Sequence, residues 1–586
     1  MRIFTRLELA SHPTAGGRHD LLLEGHWPSE PEAAQVAQVW SLDEAIDARH
    51  GWIDGAAAEY AEAIGTCHAS GRDETNVAYL NALALRYYLV KLLRVVAFFD
   101  QVHRPTPGEA VESHLRAGQD EDYAELLKQV ADAHAWELTT VWHPPRRAPA
   151  PAAPRGVPWR RWAAHAAQLN AGRLDIDHRE RNDPDRRRVV LCGNPRVLDG
   201  VCKALLERGC QVWWLYEHFA ARSWWRWRRH GARQLTCDAG GFQTPAFSES
   251  ATTADLVCRG VNLAPAVDRW LAGVSAELGR RQSRVVQRID GHFRALRPTH
   301  LVLDEDATPL KRAAVAIARR WGARSTVVEH GAPCGPFGFA PLAADEICVW
   351  GESTRRELVG WGVPPGRIHV TGWPGVERRW PRWMHLAKRR RATTPPTILL
   401  LATVAPCDGR PDTVTFHLTR QTHEALVDMA CAAVGKIAGA RLIVKLHPRA
   451  PDAGEWLQVL KRHPALRHRV VRSADLDTVV AGCDCVLSCA STAGIEAALA
   501  GAPVAQLLPA GSGDVLPAER WGLIGSARDA CRLDSLLATA LARGWKAVPR
   551  WDPDVLGDGH RPAVERIADI VLERSNCLGA RLEVGG

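Results

Sequence analysis

The sequence predicts an α/β protein with two doubly wound, Rossmann-like domains and an interdomain cleft, preceded by a largely helical N-terminal region. Short, continuously apolar runs alternate with helical patterns from Arg188 onward. The alternation breaks off at residue 376 and restarts at Thr397. Strands that are apolar throughout, instead of at every second residue, belong to parallel sheets covered by helices on both faces.

Each part follows in order. Residues 1–143 contain "NVAYLNALALRYYLVKLLRVVAFF" (76–99) and "DEDYAELLKQVADAHAWE" (120–137), whose apolar residues recur at three and four, so this part reads as mainly helical. "HPPRRAPAPAAPRGVP" (143–158) is too proline-rich for helix or sheet and marks a Pro/Arg-rich linker over 144–185. The first Rossmann-like domain, 186–378, holds the runs "RVVLCG" (188–193), "CQVWWLY" (210–216), "THLVLDED" (299–306), "RSTVVEHG" (324–331), "DEICVWG" (345–351) and "RIHVTGWPG" (367–375). Within the basic, aromatic stretch "VERRWPRWMHLAKRRRATTPP" (376–396), residues 379–396 read as a linker. The second domain, 397–545, holds "TILLLAT" (397–403), "RLIVKLHP" (441–448), "RVVRS" (469–473), "CVLSC" (485–489) and "PVAQLL" (503–508). A C-terminal helix and tail occupy 546–586.

Composition narrows the function classes. The 586 residues exceed what one core supports. No apolar run approaches the roughly 20 residues that span a bilayer, and the N-terminus lacks the apolar segment of a signal peptide. Fifteen cysteines without a CxxC pair fit a reduced, cytoplasmic setting better than a disulfide framework. Cys483, Cys485 and Cys489 lie on an apolar strand pattern with no histidine at zinc-site spacing, and read as buried structural residues. The net charge of +8 permits a basic groove, but it is modest for this length and no nucleic-acid-binding motif accompanies it.

Ligands of open α/β sheets bind beyond the carboxyl ends of the strands, and the chemically informative residues cluster there. His447 and Pro448 end one strand. Lys445 and Arg449 are near enough in sequence to assist, with Arg449 ranked higher because strand alternation turns Lys445 away. After the next-but-one strand comes "SCASTAGIEAALAGAPV" (488–504). Ser491 and Thr492 stand where a helix begins, Gly494 allows close backbone approach, and free N–H groups at a helix start favour a phosphate. Glu496 can accept two hydroxyl protons of a ribose. The plain alternative makes Ser491 or Thr492 an ordinary N-cap and Glu496 a surface charge.

With its "DED" (304–306), "HP" (447–448) and "ST" (491–492), the chain resembles GT-B glycosyltransferases, and more narrowly the bacterial sialyltransferase, Kdo-transferase and capsule-polysaccharide group. "STAGIEAALAGAPV" is also similar to UDP-N-acetylglucosamine 2-epimerases, and "EHG" (329–331) to capsule synthesis proteins and teichoic-acid polymerases. The resemblance covers roughly residues 186–545 through short motifs, in order and at strand ends; the N-terminal 180 residues carry none of them. It implies that His447, positioned by Pro448, contacts the nucleotide phosphate or leaving group. It further implies that Ser491 and Thr492 bind the donor phosphate, and Glu496 the ribose. Asp304 or Asp306 would take the proton of an acceptor hydroxyl, although Ala307 stands where the family often has glycine; His330 is the rival base. Such enzymes stabilise the departing nucleotide with helix dipoles and side chains, so metal independence is expected, with no cofactor besides the nucleotide-sugar co-substrate.

The leading expectation is an inverting transferase using a CMP-activated acid sugar, Kdo or sialic acid, to build capsule or lipopolysaccharide in a bacterium. Its partners would be the nucleotide sugar and a glycan or lipid-linked acceptor. The alternatives are a UDP-sugar transferase or 2-epimerase-like enzyme, a teichoic-acid-like polyol-phosphate transferase, and an inactive scaffold. The stretches "RSWWRWRRHGAR" (222–233) and "RRWPRWMHLAKRRR" (378–391) mix Trp and Arg, a composition suited to peripheral contact with the inner membrane or to stacking on sugar rings.

Overall fold

The structure is a computed structural model. It describes residues 1–6, 20–24, 39–41, 52–67, 77–103, 106–117, 120–144, 186–217, 227–237, 256–333, 335–336, 338–389, 393–402, 420–447, 454–472, 474–489, 491–509, 521–545 and 551–582. The expected linker 144–185 falls outside these residues from 145 onward.

The N-terminal region carries a parallel sheet as well as the expected helices. Strands β1 (Arg2–Arg6), β2 (Asp20–Glu24), β3 (Val39–Ser41), β4 (Ala110–Arg116) and β5 (Glu137–His143) pair in the order β3-β2-β1-β4-β5, every pairing parallel. The helices are α1 (Trp52–Cys67), α2 (Val77–Leu80), α3 (Ala82–Gln101) and α4 (Glu121–His134).

The middle sheet begins with β6 (Arg188–Cys192), α5 (Pro195–Glu207), β7 (Gln211–Tyr216) and β8 (Arg233–Thr236). A small antiparallel ribbon, β9 (Val257–Cys258) and β10 (Val261–Asn262), leads into the 33-residue α6 (Ala264–Leu296). Then come β11 (His300–Leu303), α7 (Pro309–Arg320), β12 (Arg324–Val328), β13 (Glu346–Val349), α8 (Glu352–Gly360), β14 (Ile368–Val370) and α9 (Pro374–Arg389). The strand order is β14-β13-β12-β11-β6-β7-β8.

The third sheet contains β15 (Thr397–Leu401), α10 (Arg420–Gly435), β16 (Arg441–Lys445), α11 (Gly454–Lys461), β17 (Arg467–Val471), α12 (Leu476–Ala481), β18 (Cys485–Ser488), α13 (Thr492–Leu499), β19 (Val504–Leu507) and β20 (Gly525–Ala527). Helices α14 (Ala530–Arg543), α15 (Pro553–Leu556) and α16 (Ala563–Leu582) close the chain. The order is β17-β16-β15-β18-β19-β20, all parallel.

In both large sheets the chain starts in the middle, moves out one way and then returns to build the other side. That is the doubly wound Rossmann order, whose reversal point lies between β6 and β11 and between β15 and β18. The N-terminal sheet follows the same rule between β1 and β4. In β15, Ile398 and Leu400 enter one core with Val444 and Leu487, while Leu399 and Leu401 enter another with Val486 and Val504. Both faces are covered, which is why the strand is apolar at every position.

The chain divides into two compact units. One comprises Met1–Cys192, Gly209–Leu301 and Asp306–Ser325; the other comprises Gly193–Arg208, Val302–Glu305 and Thr326–Gly586. In the first unit, α3 is buried over most of its length, as an all-round apolar helix must be. Its Tyr88 ring stacks on Trp270 of α6 at 5.2 Å, and the Asn81 and Gln282 amides exchange hydrogen bonds of 3.1 and 3.0 Å.

The second unit corrects one expectation. Residues 374–389, most of the basic stretch read as a linker, form helix α9. Trp383 is 1% exposed and its indole donates to Asp477 at 3.0 Å. In the other Trp/Arg stretch, residues 222–226 lie outside the described residues; Trp227 is buried, stacks on Trp214 at 4.4 Å and donates to the Tyr216 hydroxyl. These two indoles face protein and cannot lie in a membrane interface. Among the described residues, no helix is long and apolar enough to cross a membrane.

Candidate active site

Every residue discussed here, apart from Asp306 and its neighbours, belongs to the second unit. The reversal point of the middle sheet is built first. Strand β6 ends in Gly193, and Asn194 caps α5: its side chain accepts from the Arg196 N–H at 3.0 Å, and Pro195 takes the first helical position. Asp304, just beyond β11, crosses the reversal point and accepts the Asn194 N–H through Oδ2 at 2.8 Å. A Cβ on Gly193 would lie 2.3 Å from Asp304 Oδ1, so only glycine fits. Asp304 is 5% exposed and held by the loop it supports.

Asp306, 3% exposed, serves a different neighbourhood in the first unit. Burial raises the Tyr79 phenol above its ordinary range and the charge of Asp306 adds to that, while Arg312, stacked over the same ring at 4.4 Å, opposes it. In a continuing strand, residues two apart such as Asp304 and Asp306 would point to the same face. The strand ends at Leu303, however, and the two carboxyls serve separate neighbours.

Beyond β12 stands "EHG". Glu329 is 1% exposed and accepts from the Trp350 N–H at 2.6 Å and the Thr354 hydroxyl at 3.1 Å. Burial pushes its carboxyl well above the usual range. His330, by contrast, is exposed, with its ring stacked on Phe339 at 5.4 Å. Gly331 follows, and a Cβ there would lie 3.3 Å from the Thr492 hydroxyl of α13. The residue beside His330 thus meets the start of the helix that the sequence marked for a phosphate.

That helix start is formed as the sequence suggests. Ser491 is the N-cap, accepting from the Ala493 N–H at 3.3 Å, and its own N–H donates to Ser488 Oγ at 3.3 Å. A Cβ on Gly494 would come within 2.4 Å of Ser488 Oγ, so α13 seats against β18 only through glycine. Ser491 therefore fulfils the plain N-cap role, which leaves its hydroxyl proton available to a ligand.

Glu496 is no surface charge. Its side chain is 20% exposed and paired with Arg379 of α9 at 2.7 Å. Burial pushes its carboxyl upward, with Arg379 opposing that shift. Arg379 also grips the buried Asp477, joining α9, α12 and α13. A carboxylate has about four lone-pair directions, so the pair with Arg379 leaves capacity for a hydroxyl donor.

His447 is half-buried just past β16; Pro448 and Arg449 lie outside the described residues. Lys445, half-buried, is pushed below the usual lysine range by burial and then by the Arg196 guanidinium, with Asp475 opposing. Arg196 also acts on Glu496. This exposed arginine at the start of α5 contributes to both shifts, and it was not among the expected site residues. Its sequence signal was "GNPR" (193–196), a strand end running into an Asn-Pro helix start.

No family model matches this chain, and no curated protein matches it. Among solved structures it is similar to S. aureus MnaA with UDP, at 13% identity and TM-score 0.43, over 67% of this chain and 97% of the other. It is also similar to the UDP-GlcNAc 2-epimerase from Neisseria meningitidis bound to UDP-GlcNAc (11%, TM-score 0.41, 66% and 100%) and to Acinetobacter baumannii MurG (13%, TM-score 0.37, 66% and 99%). Likeness at this level decides nothing about activity.

The chemistry of the site rests on its own residues. Beyond burial, Arg196 depresses the Lys445 ammonium electrostatically, and the Ser491 and Thr492 hydroxyls stand at the start of α13. Among the described residues, no group of three or more His, Cys, Asp or Glu side chains is placed to hold a metal ion.

Proposed function

We propose that this chain is an inverting, metal-independent glycosyltransferase that moves a sugar from a nucleotide sugar to an acceptor hydroxyl. The supporting observation is the meeting of Gly331, the residue after His330, with the Thr492 hydroxyl at the start of α13. A nucleotide sugar presents phosphate oxygens whose charge grows as the sugar–oxygen bond breaks. Donors and cations fixed in advance around those oxygens stabilise that charge most in the transition state.

In this reading the acceptor oxygen attacks the anomeric carbon, the bond from that carbon to the phosphate oxygen breaks, and the nucleotide leaves with the electron pair. The Thr492 and Ser491 hydroxyls hold phosphate, His447 donates to the leaving group, Arg196 and Lys445 neutralise it, and Glu496 accepts from the ribose. The acceptor proton passes to His330. A base must come within about 3 Å of its proton, and His330 is exposed where Asp304 and Asp306 are 5% and 3% exposed.

The leading donor is a CMP-activated acid sugar, Kdo or sialic acid. The acceptor is a surface polysaccharide or a lipid-linked glycan met at the inner membrane from the cytoplasm. Thermal shift with CMP, CDP, UDP and GDP, with and without EDTA, tests the scheme. A ligand at 100 times its Kd adds roughly 2.7 kcal/mol. The expected result is stabilisation by CMP that survives EDTA and disappears in His447→Ala. A response to UDP alone replaces the donor with a UDP-sugar, for a transferase or a 2-epimerase-like enzyme; a response to CDP alone points to a polyol-phosphate donor. Silence from all four sinks the proposal.

A further inference from the structure

A separate cavity of about 560 Å3 lies in the same unit, walled by α5, the first turns of α9 and the segment from Trp551 to Val564. Small-molecule sites typically enclose about 300–1,000 Å3. Three cations line it: Arg196, Lys203 and Arg378. Lys203 and Arg378 both approach the buried Asp199 at 3.9 Å, too far for a hydrogen bond, and their side chains are 47% and 60% exposed. The other carboxylate of the lining, Glu377, accepts the Ala563 N–H at 2.7 Å. The accessible charged heads of the cavity are therefore cationic.

The remaining wall is aromatic and fixed. Trp380 and Trp551 pack edge to face at 5.0 Å, and the Trp551 indole donates to the Gly557 carbonyl at 3.0 Å. Gly559, at φ +68°, allows this: a Cβ there would lie 3.1 Å from the Trp551 ring. A pyranose presents C–H groups on its faces and oxygens around its rim. Flat indole faces suit the first and guanidinium and ammonium heads suit an anionic substituent. Asn, Gln, Ser and Thr are missing from the lining among the described residues, so the neutral donor–acceptor pairs that read a nucleobase edge are not offered.

We propose that this cavity binds an acidic saccharide, a sugar chain bearing carboxylate or phosphate groups, and that this saccharide is the acceptor. The acceptor role rests on the transferase reading above. Arg196 connects the two, because it lines the cavity while its N–H donates to the Asn194 side chain, whose own N–H donates to Asp304 at the strand ends.

Calorimetric titration of the full chain with a hyaluronan tetrasaccharide, and with uncharged cellotetraose, is the test. Binding of the acidic tetrasaccharide is expected, with cellotetraose weaker by roughly tenfold or more, and a Lys203→Glu/Arg378→Glu double variant losing a similar factor. CMP or UDP affinity should stay unchanged in that variant. Lys203→Ala/Arg378→Ala serves if charge reversal disturbs the melting profile. Equal binding of both tetrasaccharides, no binding, or binding indifferent to the variants overturns the site. Nucleotide binding without saccharide binding sinks this inference alone. Saccharide binding without any nucleotide binding upholds the site and removes its acceptor role together with the transferase reading.

Discussion

Asp304 accepts a backbone N–H across the reversal point of the middle sheet, so truncation strands that donor. Asp304→Ala should destabilise the protein by about 1–3 kcal/mol in denaturant titration, while Asp304→Asn keeps an acceptor oxygen and most of the stability. If His330 is the base, Asp304→Asn retains turnover and His330→Ala loses about 100- to 10,000-fold in sugar-transfer rate. The opposite ranking would return the base to Asp304. Glu329 gives a second residue-scale test. Its carboxyl is raised by burial, so the folded protein holds a proton that the unfolded chain releases in the ordinary carboxylate range. The resulting stability is complete below that range and is lost as pH rises through the higher folded value. Glu329→Gln should flatten the fall in melting temperature as pH rises above the ordinary carboxylate range; unchanged slopes would assign the fall elsewhere.

At the scale of elements, the seat of α13 against β18 fixes the helix start proposed above to hold phosphate. Gly494→Ala places a Cβ 2.4 Å from Ser488 Oγ and 2.7 Å from its Cβ, so either the helix or the strand must move. Overpacking of this kind costs typically about 1–3 kcal/mol. The variant should lose that much stability together with nucleotide binding. Adding Ser488→Gly removes both clashing atoms and should restore most of the loss, a coupling readable by a double-mutant cycle. Independent, additive losses would show that the contact is not what limits the helix position. Arg379 matters at this scale too, since one side chain ties three helices together.

Across the whole molecule, legibility followed burial. The central strands of the two large sheets, such as β11, β15 and β18, are buried throughout and left apolar runs, so the two sheets could be read from the chain, whereas the edge strands β8, RQLT, and β20, GSA, could not. The N-terminal sheet could not. Its β3 is only "VWS", and β5, "ELTTVWH", keeps Trp142 46% exposed, so neither gives an apolar run. The strand-end residues of the site were legible because a strand's end is a place on the sequence. Arg196 and Arg379 were not, since each takes its meaning from partners far along the chain; Asp477 lies 98 positions from Arg379. The cysteines allow a global check. Cys531 is exposed, and burial pushes the Cys431, Cys485 and Cys489 thiols up to about 12. Peptide mapping after brief treatment with a thiol reagent should label Cys531 and leave these three unmodified until denaturant is added. Labelling of Cys485 in the native protein would contradict the packing of β18.

The interlock of Gly494 with Ser488 also reaches into the protein's history. A side chain can arise at position 494 only after position 488 has given up its own, so the two codons have a permitted order of change. Lineages in which 494 is no longer glycine should carry glycine at 488 and descend from ancestors that passed through the pair of glycines.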